Sequence, residues 1–142
     1  MVYSEDYKKL VDAAALKDKY YEIDERVEEI CKEAFKGCDK LEEIVMPKKL
    51  KKIDSEAFQG CSSLTKLTLP DSVARIDGLA FSNCSDLSKI TSLAEIPPMC
   101  GFKVFNGVNK TNCELIVPEG SVAAYTRAED WNKFSNIRGF SK

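Results

Sequence analysis

One pattern repeats through the middle of the chain at a fixed interval of 23 residues. The interval separates the members of two series, Phe35, Phe58 and Phe81, and Cys38, Cys61 and Cys84. Aliphatic residues recur in the same phase, among them Ile30, Ile53 and Ile76. A fixed period in this range is typical of a solenoid, in which each coil buries its apolar face against the neighbouring coils. The predicted fold is therefore a solenoid of stacked coils.

Each coil is predicted to contain two segments joined by corners. In the middle repeat, Leu64 to Leu69 alternates apolar and polar residues and is rich in threonine, which favours a strand. Pro70 to Ser72 then turns the chain, and Ile76 points inward from the opposite wall. A short helical turn at residues 79–81 places the phenylalanine in the core. Running the period backwards puts the first strand at Tyr20 to Ile23.

The segment before the repeats is predicted to form a helix over residues 4–17. Ser4 can cap its N-terminus, and Glu5 and Asp6 suit the positive end of the helix dipole. The apolar stripe of this helix consists of Tyr7, Leu10, Val11, Ala14 and Leu16. An open solenoid end exposes core residues, so we interpret the helix as an N-terminal cap. A helix lying on a membrane is the alternative, but its polar face carries both signs of charge.

The regular phase is lost after the third repeat. Pro97-Pro98 is incompatible with a central strand, and residues 99–112 are predicted to form a longer, irregular coil with Phe102 and Phe105 in the core. The strand pattern returns at Leu115 to Pro118. Ser121 is then predicted to cap a short helix. A C-terminal plug is predicted from the apolar residues Trp131, Phe134 and Ile137.

These segments divide a single structural domain into three parts: an N-terminal capping helix at 1–19, 23-residue repeats at 20–97, and a degenerate repeat with a C-terminal cap at 98–142. The net charge is −2 and the isoelectric point is about 5.3, which argues against nucleic acid as a partner. No apolar run approaches the roughly 20 residues of a transmembrane helix. The first residues show no signal peptide, so the protein is cytoplasmic or its leader lies outside this sequence.

The six cysteines are open to two interpretations. Cys38, Cys61 and Cys84 occupy equivalent places in successive coils and are predicted to stack as a ladder of small buried groups. The alternative is a set of disulfides, but equivalent side chains of neighbouring coils point the same way, which is poor geometry for a bridge. Cys31, Cys100 and Cys113 lie outside the ladder, and their state is left open, as is the role of the loop at 99–112.

The sequence offers little for catalysis. There is no histidine, which excludes Ser-His-Asp and Cys-His units, and no C-x-x-C pair to hold zinc. Neighbouring acids such as Glu42 and Glu43 point to different faces of a strand. We therefore predict no catalytic residue, no metal site and no cofactor, and a histidine-free enzyme is the least favoured hypothesis. The lysines at 48, 49, 51 and 52 could attract an anion, but a solvated corner is the simpler interpretation.

Two phrases of the sequence, residues 57–64 and 69–76, resemble the BspA-like leucine-rich repeat family. The tail from Val117-Pro118 through Tyr125 to Trp131 is also similar to how chains of that family end. The resemblance covers about residues 20–137 and implies a right-handed leucine-rich-repeat solenoid of bacterial or protist type. It also implies a cell-surface or secreted protein concerned with adhesion and protein binding. The family shares no catalytic residues.

In such a solenoid the residues between the inward strand positions face the concave sheet. The predicted contact residues on this face are Tyr20, Glu22, Glu43, Val45, Lys66, Thr68, Lys89, Thr91 and Glu114, with Ile116 beside them. The face is either a binding surface for a protein, peptide or glycan, or plain solvated sheet. The sequence thus predicts a non-catalytic binding module. The alternative is a structural unit that self-associates through a solenoid end or a sheet edge.

Overall fold

A computed structural model describes residues 1–141 as a solenoid of about six coils with two walls. The strands of the first wall, the short-strand wall, are β1 (Val2–Tyr3), β2 (Lys9–Asp12), β4 (Glu29–Ile30), β6 (Lys52–Ile53), β8 (Arg75–Ile76) and β10 (Met99–Cys100). Those of the second, the long-strand wall, are β3 (Tyr20–Glu22), β5 (Glu43–Val45), β7 (Lys66–Leu69), β9 (Lys89–Ser92), β11 (Glu114–Pro118) and β12 (Asn136–Phe140). The helix α1 (Val122–Arg127) lies between two 3-10 turns, Glu119–Ser121 and Trp131–Lys133.

Equivalent strands of successive coils pair in parallel, which confirms the predicted stacking. The short-strand wall is one sheet in the order β1-β2-β4-β6-β8-β10, in which only β1 is antiparallel to its neighbour. Within it, Ile53 lies in register with Ile30 and Ile76, as the 23-residue period requires. The long-strand wall is divided, because β3 and β5 form a separate pair and β7, β9, β11 and β12 form a four-stranded sheet.

A continuous stack of aromatic rings, the aromatic spine, runs through the core. Its members are Tyr21, Phe35, Phe58, Phe81, Phe105 and Trp131. The central rings are nearly parallel: the ring centroids of Phe35 and Phe58 are 4.8 Å apart, and those of Phe58 and Phe81 are 5.2 Å apart. Phe105 lies 5.9 Å from Phe81 and continues the stack. The repeated phenylalanine therefore joins each coil to the next.

The cysteine ladder is present and buried, as predicted. Each thiol donates a hydrogen bond to a backbone carbonyl of the preceding coil: Cys38 to Ala13 at 3.5 Å, Cys61 to Phe35 at 3.2 Å, and Cys84 to Phe58 at 3.2 Å. All six cysteines lie within the described residues and are free thiols. The ladder is thus a packing and hydrogen-bonding device rather than a chain of disulfides.

The predicted N-terminal helix is wrong. Residues 2–12 form the β1–β2 hairpin, and β2 pairs in parallel with β4 as an additional short coil. Leu10 lies in register with Ile30, only 20 residues away, so the 23-residue period does not predict this shorter coil. Ser4 stabilises the hairpin turn instead of capping a helix: its hydroxyl donates to Asp6 Oδ1 and accepts from the Lys9 amide. The N-terminal end of the core is therefore covered by a strand.

Truncating Leu10 and Val11 to alanine, one at a time, should show whether residues 2–12 form a hairpin or a helix. Leu10 is fully buried, whereas Val11, the next residue of the strand, is 41% exposed. We expect Leu10→Ala to lower the free energy of unfolding by about 2–5 kcal/mol and Val11→Ala by less than about 0.5 kcal/mol. Thermal denaturation followed by circular dichroism measures both. Similar losses for the two variants would contradict the hairpin, because a helical stripe would bury both residues.

The segment after the third repeat is a longer coil that keeps the strand pairing: Glu114 lies in register with Lys89 at a spacing of 25 residues, two more than the repeat. Met99 lies in register with Arg75 at a spacing of 24 residues, and Phe105 follows Phe81 at the same spacing. Phe105 is buried, as predicted. The prediction that Phe102 also fills the core is wrong, because its side chain is 67% exposed. Phe102 lies at the outer corner of the coil, where its carbonyl accepts a hydrogen bond from the Leu79 amide.

The C-terminal end is covered by α1 and the segment after it. Trp131 and Phe134 are buried as predicted, whereas Ile137 belongs to β12 and is only half-buried. The short helix is confirmed, but Ser121 does not cap it: the Ser121 hydroxyl donates to the Glu95 carbonyl at 2.7 Å. The Trp131 indole donates to the Pro98 carbonyl at 2.9 Å, which fixes the plug to the preceding coil.

Candidate functional site

The predicted contact residues all lie on the outer side of the long-strand wall, which we call the long-strand face. Inward and outward positions alternate along each strand; in β7, Leu67 and Leu69 are buried while Lys66 and Thr68 are exposed. Seven of the nine predicted residues are exposed, and the other two, Thr91 and Glu114, are half-buried. The alternation in the sequence therefore places these side chains correctly, although their role in binding stays a prediction.

The parallel register aligns these residues in two rows across the strands. In one row Tyr20 pairs with Glu43, and Lys66, Lys89, Glu114 and Asn136 follow one another. In the other row Glu22 pairs with Val45, and Thr68, Thr91, Ile116 and Arg138 follow one another. The face is therefore acidic at its N-terminal end and basic in its middle.

The two parts of the face meet between β5 and β7. At this point the Thr65 amide still donates to the Glu42 carbonyl at 3.2 Å, but the strands themselves are not paired as a ladder. Tyr20 and Val45 are the large apolar side chains exposed on the N-terminal part. The boundary separates this acidic and apolar part from the basic part that begins at Lys66.

Lys66 and Lys89 form the most distinctive charge arrangement on the face. They are directly opposite each other on paired strands, which are about 4.8 Å apart in a sheet. Neither ammonium group has an ion-pair partner within 4.0 Å among residues 1–141. Like charges placed directly opposite each other destabilise a sheet, so the arrangement has a cost in the isolated protein.

Glu114, which follows Lys89 in the row, has its charge neutralised by Arg138. Arg138 Nε donates to Glu114 Oε2 at 2.6 Å, and this hydrogen bond lowers the pKa of the Glu114 carboxyl. Ile116, expected on the open face, is buried between the positions of Thr91 and Arg138. Asn136 and Arg138 were missed from the sequence. The spacing of 22 residues between Leu115 and Ile137, close to the repeat, is the signal that marks this last strand.

The lysine-rich corner at residues 48–52 is consistent with a solvated surface. The lysine-rich corner is partly neutralised, since Lys51 pairs with Glu28 at 3.1 Å and Lys52 with Asp77 at 3.6 Å. No group of three or more possible metal ligands occurs within the described part of the chain. Across the same residues, every buried side-chain nitrogen and oxygen has a hydrogen-bond partner. None of the helices in that part is long and apolar enough to span a bilayer.

The stacked coils, with one short parallel strand on each wall, define a leucine-rich-repeat solenoid. The chain belongs to the BspA-type family: the model of the BspA type leucine rich repeat region, in six copies, matches residues 15–116. This match confirms the resemblance noted in the sequence. Solenoids of this kind are typically non-catalytic. A search of curated proteins found no match.

Among solved structures, the chain is similar to the crystal structure of the pneumococcal vaccine antigen PcpA. The TM-score is 0.60 and the sequence identity is 16%, with 99% of this chain and 45% of that chain covered. At this identity the likeness shows the fold alone. The chain spans less than half the length of that protein.

Proposed function

We propose that the protein is a non-catalytic binding module that holds a protein or peptide partner on its long-strand face. The contact residues are the nine predicted from the sequence, with Lys66 and Lys89 at the centre. The family and the solenoid fold support a repeat module for protein interaction. A bacterial cell surface is the setting that the family resemblance favours, with adhesion as the corresponding role.

The unpaired lysines of the face carry this proposal. Two ammonium groups on adjacent strands repel each other in the free protein, and one carboxylate placed between them would relieve that repulsion. Charge-assisted hydrogen bonds of this kind are among the stronger polar contacts in an interface. The neighbouring Glu114 is already bonded to Arg138 and does not neutralise the pair fully. A partner with an acidic side chain at the centre of its interface fits best.

Reversing the two lysines should weaken binding without unfolding the protein. The partner is first identified by cross-linking to this protein through a photo-reactive amino acid placed at position 68, and it is then purified. We expect the double variant Lys66→Glu, Lys89→Glu to raise the Kd of this partner at least about tenfold, because it replaces attraction to an acidic group by repulsion. A tenfold change in Kd corresponds to about 1.4 kcal/mol. Binding to the unaltered protein should also weaken as salt is raised. Biolayer interferometry measures both effects.

A matched control makes this test specific. Lys8→Glu with Lys32→Glu changes the net charge equally, at two exposed positions next to the short-strand wall. The control should bind like the unaltered protein, and the thermal midpoints of both variants should stay near the original, because these lysines make no ion pair within the described chain. Equal binding by all three proteins would exclude the long-strand face as the site.

Self-association through a solenoid end is the second candidate. The β1–β2 hairpin and the α1 segment cover the core at the two ends, which favours the binding module over end-to-end stacking. Size-exclusion chromatography with light scattering over a hundredfold range of concentration distinguishes the two. A constant mass of one chain supports the binding module, and a mass that rises with concentration supports self-association.

A further inference from the structure

A groove of about 580 Å³ lies at one corner of the solenoid, away from the long-strand face. One side is formed by residues 71–74, between β7 and β8, and the other by residues 93–97 with Met99. The two coils are joined on either side of it, by the Leu93 amide to the Leu69 carbonyl at 3.0 Å and by the Met99 amide to the Ala74 carbonyl at 2.9 Å. Between these two hydrogen bonds the coils separate, and we call the space between them the corner groove.

The sequence explains why the coils separate here. At the preceding corner, the Ser72 hydroxyl donates to the carbonyls of Lys48 and Leu50, at 2.9 and 2.6 Å, and ties two coils together. The register of β7 with β9 places Glu95 where Ser72 stands, and a carboxylate cannot donate this bond. The corner from Ser92 to Met99 is also one residue longer than the corner from Leu69 to Arg75. The groove therefore results from the sequence of this coil, which has Glu95 at the serine position and one extra residue in the corner.

The groove presents large apolar side chains to solvent. Ile96 is 83% exposed and Met99 is 75% exposed, and Val73 and Pro97 contribute to the lining. A residue that precedes proline is restricted to extended conformations, so Ile96 is held in one backbone region before any partner arrives. A backbone restricted in advance loses less entropy on binding. A concave, mainly apolar lining with a few charged groups is typical of binding sites.

The charge of the groove selects its occupant. The charged residues that line it are Asp71 and Glu95, both acidic, and the exposed carboxylate of Asp71 is the one that we expect a basic partner to contact. A smaller groove of about 440 Å³ lies at an equivalent corner near Pro47, but its lining contains acidic and basic residues together. Arg75, next to the corner groove, is bonded to Asp77 at 2.7 Å. We infer that the corner groove binds a segment of another protein that carries an apolar side chain beside lysine or arginine.

Four short peptides test this inference on the full chain. Two have a central leucine, flanked by two lysines or by two glutamates on each side; in the other two, serine replaces the leucine. Titration into isotope-labelled protein, followed by amide NMR shifts, gives the affinity and the location of each. We expect a Kd of about 1 mM or tighter for the lysine–leucine peptide alone, with shifts at residues 71–74 and 93–99.

Variants at the groove sharpen the result. Asp71→Lys should weaken the lysine–leucine peptide at least about fivefold, while Asp86→Lys, an exposed residue outside the groove with the same change in charge, should leave it unchanged. Ile96→Ser should weaken it as well, with an unchanged thermal midpoint, because this side chain is exposed. Equal affinity for lysine and glutamate peptides, absence of binding, or shifts elsewhere would each overturn the inference. Shifts at 71–99 on concentrating the protein alone would identify a second copy as the occupant and overturn it too.

The corner groove and the long-strand face are tested independently. The Lys66→Glu, Lys89→Glu variant leaves every residue of the groove lining in place. This variant should therefore bind the lysine–leucine peptide like the unaltered protein. If it does, loss of the other partner in this variant concerns the long-strand face alone. If instead the peptide fails to bind either protein while the unaltered protein still binds the other partner, the corner-groove inference fails and the proposed function stands.

Discussion

Replacing Phe58 by alanine is expected to destabilise the protein more than any other single truncation on the coil stack. Phe58 is the middle ring of the aromatic spine and is fully buried between Phe35 and Phe81, at centroid distances of 4.8 and 5.2 Å. Truncating a buried phenylalanine costs about 3–5 kcal/mol, and each lost ring pair adds about 0.5–1.5 kcal/mol. A domain of this size is stable by about 5–15 kcal/mol, so the loss removes a large part of the total.

Trp131 makes this experiment more informative. It is the only tryptophan and lies at the C-terminal end of the spine, so its fluorescence reports on that end, while circular dichroism reports on the whole chain. In a solenoid each coil is stabilised mainly by its neighbours. We expect urea unfolding of the unaltered protein to coincide by both probes. In Phe58→Ala both midpoints should fall, and the two curves should separate if the halves lose their coupling.

Phe102→Ala is the matched control for Phe58→Ala. It removes the same atoms from a ring that is 67% exposed and lies outside the spine. Its effect on the free energy of unfolding should stay within about 0.5 kcal/mol. Comparable losses in the two variants would mean that the spine does not stabilise the stack.

The repeat is the part of the fold that the sequence predicts well, for a physical reason. Every coil must place one ring, one thiol and several aliphatic side chains against the same positions of its neighbour, so the constraint is written in each repeat. Phe35, Phe58 and Phe81 satisfy it at equal spacing, and their rings stack as expected. The predicted positions on the long-strand face follow from the same register, because strand residues alternate between core and solvent.

The predictions failed where the spacing changes. Leu10 is 20 residues from its register partner Ile30, and Phe105 is 24 residues from Phe81, so a strict 23-residue period assigns neither residue to its coil. In the first case an apolar pattern compatible with a helix took the place of the missing repeat. In the second, the pattern placed both Phe102 and Phe105 in the core, and only Phe105 is buried there. Only the position of Phe105 after the buried Val104, as Phe81 follows Ala80, separates the two residues.

The features that distinguish the candidate sites arise from tertiary placement. Arg138 reaches Glu114 because β12 adds a strand beyond the predicted repeats, and sequence alone did not assign that strand. The corner groove depends on one extra residue in one corner and on Glu95 standing where a serine would tie the coils. Such details change distances between coils without changing the repeat pattern. Periodicity in the sequence therefore does not predict them.

Raising the pH above about 9 is expected to destabilise the protein progressively through its buried thiols. Burial raises the pKa of Cys84 to about 12 and that of Cys113 to about 11, and it also raises the pKa of Cys61. An unfolded thiol loses its proton near pH 8.5. Above that pH the unfolded chain holds fewer protons than the folded chain, so the free energy of unfolding falls as pH rises. The stabilisation is complete below about pH 8.5 and is lost progressively towards the folded pKa of each thiol.

The size of this loss is set by the number of thiols involved. Each buried thiol lowers the free energy of unfolding by about 1.4 kcal/mol per pH unit while its two states differ by one proton. For Cys84, with a pKa of about 12 in the fold, the loss reaches about 4 kcal/mol at pH 12. Cys61 adds a further loss in the same direction, as does Tyr125, whose pKa burial raises to about 12. Together these losses are comparable to the whole stability of a small domain.

Urea unfolding in reductant at half-unit steps from pH 7 to pH 11 measures the slope. The double variant Cys61→Ala, Cys84→Ala should be less stable than the unaltered protein at pH 7, since it loses two thiol hydrogen bonds and some packing. Its free energy of unfolding should nevertheless fall less steeply above pH 9.5. The difference between the two slopes should be about 2.7 kcal/mol per pH unit, because two titrating groups are absent from the variant. Ile53→Val, which weakens the core without removing a titrating group, should keep the original slope. Equal slopes in the cysteine variant and the unaltered protein would show that the ladder thiols ionise as readily in the folded chain as in the unfolded one, and the ladder would then not be shielded from water.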